Sequence, residues 1–445
     1  MLSTITSMFK NKDIRNRIFF TLAMLFIFRF GTAITVPGVD TTSLTKSSNS
    51  LLDMINLLGG GGLEQMSIFA MGVGPYITAS IIIQLLSMDV IPALTELAKG
   101  GASGKKQIDR YTRYLAVVLS FFQASTLIYG FSRSYPDLLV NGNGWSSILY
   151  IATILTGGSM FILWIGDRIT MKGVGNGVSM IIAAGIIARL PHQFATAWGT
   201  LVDTSSSSAT FNGILSFGGF LLCYLLIIIF VVFMQTAERK IPIQYTSSTV
   251  TTRKKDMTYL PLKINSASVI PVIFASAIMV APLSIIKMVT AAEWVSTVEY
   301  YLGMQTPVSL VIYVVLILLF TFFYTKLQVD PEKIAENLGK SGTYIPGIRP
   351  GTETKDYINK VLNRITVLGA IGLAFIAVLP HALPLFTNLP SSMGIGGTGI
   401  IIVVGVAMET VKQIEGRLTQ KSYRCLLYTS PSPRDGATSR MPSSA

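Results

Sequence analysis

Ten apolar runs constrain this chain more than any other feature of its sequence. A helix needs about 20 mostly apolar residues to cross the hydrocarbon core of a bilayer. Runs of that order stand at Ile18–Val36, Ile68–Leu86, Tyr114–Ser132, Ile148–Ile165, Val178–Leu190, Ile214–Met234, Ser268–Val289, Val308–Thr325, Ile365–Leu383 and Gly394–Val411. In lipid, backbone polar groups must be satisfied inside the protein, so runs this long predict helices. Composition agrees. Charged residues make up 13% of the chain and the mean hydropathy is +0.57, whereas soluble domains carry about 25% charged residues. The fold class expected is an all-α polytopic membrane protein. The Val178 run is short and follows the glycine-rich KGVGNG, so it is expected to be tilted or to begin inside the protein.

The loops set the orientation. Lys10, Lys12, Arg15 and Arg17 precede the first run, which lacks a nearby cleavage site and is expected to remain as a span. Basic residues then crowd the loops after even-numbered spans, among them Lys105, Arg113, Arg168, Arg239, Lys240, Lys263, Lys326, Arg349 and Arg364. The alternate loops are sparse, with Lys46, Arg133, Arg189 and Lys287. The positive-inside rule therefore predicts a multi-pass topology with both termini in the cytoplasm and even-numbered spans ending inside. The net charge of +13 belongs to this pattern rather than to nucleic-acid binding. Five spans precede the Ser205–Ser208 run and five follow it with opposite topology, the pattern of inverted repeats. The halves expected are 1–205 and 206–424.

One stretch departs from ordinary spans. Gly59–Leu86 opens with the run Gly59, Gly60, Gly61, Gly62 and is interrupted again by Gly-Val-Gly-Pro before a short apolar piece. Broken backbone at membrane depth is tolerated where protein covers it or where it lines a cavity. This points to a conducting pathway. Two loops after even spans, Thr236–Asn265 and Lys326–Arg364, are longer than a turn requires. The second carries GTYIPGIRPG (Gly342–Gly351), whose prolines and glycines predict a rigid, non-helical tip. Both are expected to be docking surfaces; Lys99–Arg113 is expected to be charge ballast.

No enzymatic constellation is present in the sequence. There is no HExxH and no Gly-x-Ser-x-Gly, and His192 and His381 sit beside prolines as expected loop residues. Cys223 and Cys425 form no framework, and no metal or cofactor is implied. KGGASGKK imitates a phosphate loop, but its glycines are too close and Lys106 stands where Ser or Thr belongs. Directional work would need an external motor. Arg29 is the clearest charge within a span; Gln84 and Gln123 are neutral, with an interhelical hydrogen bond the plain expectation for each.

Motifs in order along residues 1–424 resemble the SecY family, the central subunits of bacterial protein-conducting channels. They include SIFAMGVGPYITASIIIQLL (Ser67–Leu86), QIDRYTRY, GVGNGVSMII, ERKIPIQY, LPLKINSASVIPVIFAS, IPGIRPG and GGTGIIIVVGVAMETVKQIE. The resemblance implies two five-helix halves around an hourglass pore. It implies a constriction of Ile77, Ile81, Ile182, Ile186, Ile273 and Ile402, and a plug drawn from Gly59 to Gly62, Leu63, Met66, Ile68 and Phe69. It further implies a lateral gate with Ser87 and Gln123 in its lining, and partner docking through Arg349, Arg239 and Lys240. The partners implied are SecE and SecG, the SecA ATPase, the ribosome, preproteins bearing signal sequences, and membrane lipid, with no direct contact to nucleic acid. Without the resemblance, the isoleucines would be taken as lipid-facing or packing residues.

Residues 425–445, CLLYTSPSPRDGATSRMPSSA, break from the family pattern and are expected to be disordered; within them Cys425–Asp435 looks like a translated sequencing-library adapter. The competing reading from another class is a secondary small-molecule transporter built on inverted repeats. It lacks a coupling charge buried in mid-span. An intramembrane enzyme lacks its paired carboxylates.

Overall fold

The computed structural model describes residues 11–40, 62, 65–87, 91–134, 138–140, 142, 144–202, 207–245, 258–267, 269–289, 294–303, 306–386 and 392–429. Each of the ten apolar runs falls on a helix. In chain order these and the shorter helices are α1 (Lys12–Thr32), α2 (Gly74–Leu86), α3 (Pro92–Lys99), α4 (Gly101–Ser134), α5 (Trp145–Lys172), α6 (Gly177–Leu201), α7 (Ser207–Thr236), α8 (Ile270–Val289), α9 (Trp294–Leu302), α10 (Pro307–Gln328), α11 (Pro331–Lys340), α12 (Thr352–Phe386) and α13 (Ser392–Thr429). Six of these are long and apolar enough to cross a membrane, while α2 and Ile270–Val280 of α8 form shorter apolar helices. The brevity of α2 has a local cause: Pro75 at its first turn fixes where the helix can begin.

Several sequence expectations change. The Val178 run is not short, because α6 continues through Pro191 to Leu201 over 25 residues. His192 therefore lies inside α6, and His381 inside α12, rather than in loops. The phosphate-loop imitation runs from the last residue of α3 through Gly100 into the start of α4. The tail is helical through Thr429, so Cys425–Thr429 are not irregular; residues 430–445 lie outside the described set. The two long loops also carry regular structure. Strand β1 (Glu238–Tyr245) pairs antiparallel with β2 (Thr258–Lys263), with Ile241 opposite Leu260, and with the short β3 (Thr343–Tyr344) from the second loop. Ile241, Ile243 and Leu262 point into a small core with Ile345, Ile358 and Ile365. Arg239, Lys240, Pro242 and Gln244 remain exposed. The sheet order β2-β1-β3 welds both loops into one platform. An ion pair between Lys355 and Glu332 at 3.0 Å ties α11 to α12 beside it.

The helices close a ring. In the first half α2 packs on α4, α4 on α5, α5 on α6, and α1 against α5 and α6. In the second, α8 packs on α10, α10 on α12, α12 on α13, and α7 on α12 and α13. The halves meet twice. On one side α8 lies against α2 and α4; on the other α6 lies against α13 and α7. The largest buried cluster draws side chains from both halves and sits between these seams.

Candidate functional site

The middle of the ring is built from branched aliphatic side chains. Ile77 and Ile81 share a face of α2 because four residues make about one helical turn, and Ile182 and Ile186 do the same on α6. Ile273 comes from α8 and Ile402 from α13. All six are between 3% and 7% exposed and belong to one cluster. The structure thus brings together four helices from both halves at the residues the family resemblance singles out. Such a surface offers a passing backbone no hydrogen bonds, and a narrow apolar constriction impedes ions by dewetting.

Beside this cluster lies the segment leading into α2. Gly59, Gly60, Gly61 and Leu63 fall outside the described residues. Gly62 accepts a hydrogen bond from the Ser67 amide at 2.9 Å. Met66, Ile68 and Phe69 are not loosely placed. The Met66 carbonyl accepts from Val36 N at 2.9 Å, and Ile68 N donates to the Ile34 carbonyl at 3.0 Å, a short bridge to the end of α1. Met66 is fully buried in a second cluster with Val36, Leu127, Ile128 and Ile151. The Phe69 ring stacks between Phe28, with centroids 6.2 Å apart, and Phe161 at 5.9 Å. The column continues through Trp164 to the Arg168 guanidinium, 5.2 Å from the indole centroid. Two glycines make this possible. A Cβ on Gly31 would lie 2.0 Å from the Phe69 ring, and one on Gly158 would lie 2.0 Å from the Ile68 carbonyl oxygen. The buried Ser159 hydroxyl donates to the Gly72 carbonyl at 2.9 Å. Sequence reasoning missed Gly31, Phe28 and Phe161, since nothing local marks partners that lie about 40 or 90 residues from Phe69.

At the seam of α2, α4 and α8, Ser87 caps α2 by donating to the Gln84 carbonyl at 2.8 Å. Gln123 is half-buried on α4, and among the described hydrogen bonds none joins these two. The polar contact across the seam is another one. The Gln84 Oε1 accepts from the Tyr324 hydroxyl of α10, and the Gln84 Nε2 donates to Ser80 Oγ at 3.1 Å. The interhelical bond expected of Gln84 is present, with a partner the sequence did not indicate. Arg29 donates to Thr32 Oγ1 at 3.4 Å at the end of α1.

The platform carries the basic candidates. Arg349 is exposed at the tip. Its backbone is clamped, with Thr354 Oγ1 donating to the Arg349 carbonyl at 2.8 Å and Ile348 N bonding Ile345 at 3.1 Å. Gly347 and Gly351, at φ of 84° and 108°, take conformations open to glycine. Arg239 stands opposite Leu262 and Lys240 opposite Pro261. Deeper in the first half, Arg113 and Asp167 pair at 3.0 Å between α4 and α5. Among the described residues no group of three or more potential metal ligands occurs.

Comparison with known proteins follows the same lines. The SecY family model matches residues 67–411. A protein translocase subunit SecY from Staphylococcus epidermidis is 45% identical over 430 residues, covering 95% of this chain and 99% of that one. The SecY of Staphylococcus aureus strain NCTC 8325 is 44% identical over 428 residues, again with 95% and 99% covered. Among solved structures, a protein-conducting channel superposes with a TM-score of 0.65 at 16% identity, covering 90% of this chain and 91% of that one. A family match across most of the chain, close relatives along nearly its full length and the shared channel fold together place this chain in the SecY family.

Proposed function

We propose that the chain is the channel subunit through which unfolded preproteins cross the cytoplasmic membrane, and from which apolar segments leave sideways into lipid. The observation that carries this reading is the single buried cluster of Ile77, Ile81, Ile182, Ile186, Ile273 and Ile402, drawn from both halves of a two-seamed ring. These isoleucines are the constriction, and the two halves divide near residue 205. Both termini face the cytoplasm, as does the β platform. The glycine run before Ser67 belongs to the plug. Met66, Ile68 and Phe69 act as its fixed base, since Met66 and Ile68 are bonded to the segment just after α1 and Phe69 is stacked between rings of α1 and α5. The seam of α2 and α8 is the lateral gate, with Ser87 and Gln123 along its line. A client segment parts it because burying apolar surface in lipid is favourable by about 25 cal/mol per Å².

The chain carries no nucleotide-hydrolysing motif, so the work comes from partners. SecE clamps the halves and SecG lies at the periphery. The platform, with Arg349 at its tip and Arg239 and Lys240 on β1, docks the SecA ATPase or the ribosome. A relative in this fold is described in a canine ribosome–channel complex.

The test is ATP- and SecA-dependent translocation of a preprotein into proteoliposomes that hold this chain through residue 424 with its SecE. Protease-protected preprotein is the expected result. Arg349→Glu is expected to lower it roughly tenfold or more, as loss of a charged hot spot does, with assembly with SecE unchanged. No protection by an assembled native complex would sink the general-channel reading and favour a dedicated accessory channel or a small-molecule transporter.

A further inference from the structure

Three of the four tryptophans in the chain stand at helix ends, away from the constriction and the platform. Trp145 opens α5, Trp198 lies three residues before the end of α6, and Trp294 opens α9. They are 69%, 48% and 52% exposed. On the topology proposed above, all three ends face outside. The fourth, Trp164, lies deeper in α5.

Of these ends, α9 is built differently, because it crosses nothing. Its nine residues, WVSTVEYYL, join α8 to α10 and are too few to span a bilayer. One side faces the protein: Val295 is buried, and Leu302 packs against the main apolar cluster. Trp294, Thr297, Tyr300 and Tyr301 are exposed. At about 3.6 residues per turn these four share the opposite side of the helix. One hydroxyl fixes α9 in place. Thr306 Oγ1 donates to the Tyr300 carbonyl at 2.6 Å, one of the end carbonyls that a helix leaves open. The same oxygen accepts from Ser309 N at 3.2 Å and so caps α10. On its other flank α9 packs on α8.

Tryptophan and tyrosine join a large apolar ring to a polar tip, which suits the boundary between headgroups and acyl chains. Two observations favour that boundary over a protein partner. Just past the Thr306 clamp, Val308, Val311, Val315 and Leu319 form an exposed stripe along α10 at helical spacing, the face this span turns to lipid. The aromatic helix is therefore mounted where a lipid-facing surface begins. The tryptophans are also spread, with Trp145 and Trp198 on helices of the first half and Trp294 in the second. A planar medium meets all three at once. We propose that α9 is an in-plane anchor. It lies in the outer headgroup region of the bilayer with Trp294, Tyr300 and Tyr301 against lipid, and it holds the outer ends of α8 and α10 at a fixed depth. This rests on the topology and channel reading above. On that reading α8 lines the gate, so its outer end swings along the membrane surface and does not sink into it.

The experiment reads tryptophan emission from the complex with SecE in phosphatidylcholine vesicles whose chains carry bromine, either just below the headgroup or near the chain ends. The difference between the native and Trp294→Phe complexes isolates Trp294. That difference is expected to be quenched more by the shallow bromines than by the deep ones. Tyr301→Trp, on the same side of α9, is expected to add emission with the same depth preference, and it decides alone if Trp294→Phe fails to assemble. With Trp294→Ser, Tyr300→Ser and Tyr301→Ser combined, amide exchange along α9 in vesicles is expected to rise several-fold, since the helix has lost its hold on the interface. Emission that neither bromine position quenches, or that the deep position quenches more, overturns the anchor, as does unchanged exchange in the triple variant. The topology is read separately. A maleimide that cannot cross membranes, added to intact cells, is expected to label Val140→Cys between α4 and α5, with the native chain as the blank. No label there would count against the topology itself, whatever the bromines show.

Discussion

The two seams between the halves are built on different rules. At the seam of α2 and α4 against α8, Ile77 and Ile81 of α2 share a buried cluster with Ile273 and Phe274 of α8, and among the described hydrogen bonds the one joining the halves beside it runs from Tyr324 of α10 to Gln84. The seam of α6 against α13 and α7 shares that cluster through Ile182, Ile186 and Ile402 and adds close approaches and interlocked rings to it. Gly175, at φ 81°, sits where a Cβ would lie 2.9 Å from Thr410 Oγ1 of α13. That hydroxyl also reaches the Met180 sulfur at 3.6 Å. Further along, Trp198 meets Phe217 at 5.0 Å and 85°, and Phe194 meets Tyr224 at 5.3 Å. In lipid there is no hydrophobic force to hold helices together, so association depends on packing and hydrogen bonds. A seam of close approaches loses all of its packing when it opens. A seam of aliphatic faces can trade one apolar neighbour for another, a lipid tail or a client. The seam of close approaches is built as a joint; on the reading proposed above, the aliphatic one is the opening.

The difference can be broken from the joint side, where substitutions should reduce stability rather than alter client choice. Gly175→Val is expected to have the largest effect, about 2–3 kcal/mol, because a β-branched residue pays for the left-handed backbone and also meets Thr410. It would show as a marked fall in the thermal midpoint of the detergent-solubilised complex. Asn176→Ala comes next. The Asn176 side chain accepts from the amides of Val178 at 3.1 Å and Ser179 at 3.4 Å, capping α6. Its loss should cost about 1 kcal/mol and speed amide exchange at the first turn of α6. The smallest effect is expected from Trp198→Ala, about 0.5–1 kcal/mol, since half its surface already faces outward. A small drop in thermal midpoint with an unaltered client profile would sharpen the contrast between the two seams. A changed client profile in any of these three would erase it.

The sequence carried the spans because apolar run length is a local property, and a bilayer admits few alternatives to a helix. Basic residues on alternate loops were equally local. The platform was not legible. In β1 the text ERKIPIQY places Pro242 in a strand, and its partner Thr343–Tyr344 lies about 100 residues on; nothing in either loop announces the other. The continuation of α6 beyond Leu190 was hidden by Pro191, which normally ends a helix but is carried here inside one. Among the site residues, the isoleucine pairs share a face by simple periodicity, yet only the family resemblance distinguished them from ordinary packing residues. Phe69 shows the limit most clearly. Its place depends on Gly31 and Gly158 leaving room for the segment around it, and such vacancies have no signature in the residue that fills them.

The pairing of β1 with β3 has a consequence for how the protein is made. Gln244 stands opposite Tyr344 and Tyr245 opposite Thr343, with α8 and α10 between them in the chain. At synthesis rates of about 5–20 residues per second, β1 leaves the ribosome roughly 5–20 s before its partner exists. During that interval one side of β1 has no strand beside it, and the chain must pass out through the membrane and return. A chain that failed to insert α8 or α10 would strand its β3 on the wrong side. The finished platform is therefore also a record that both crossings were made.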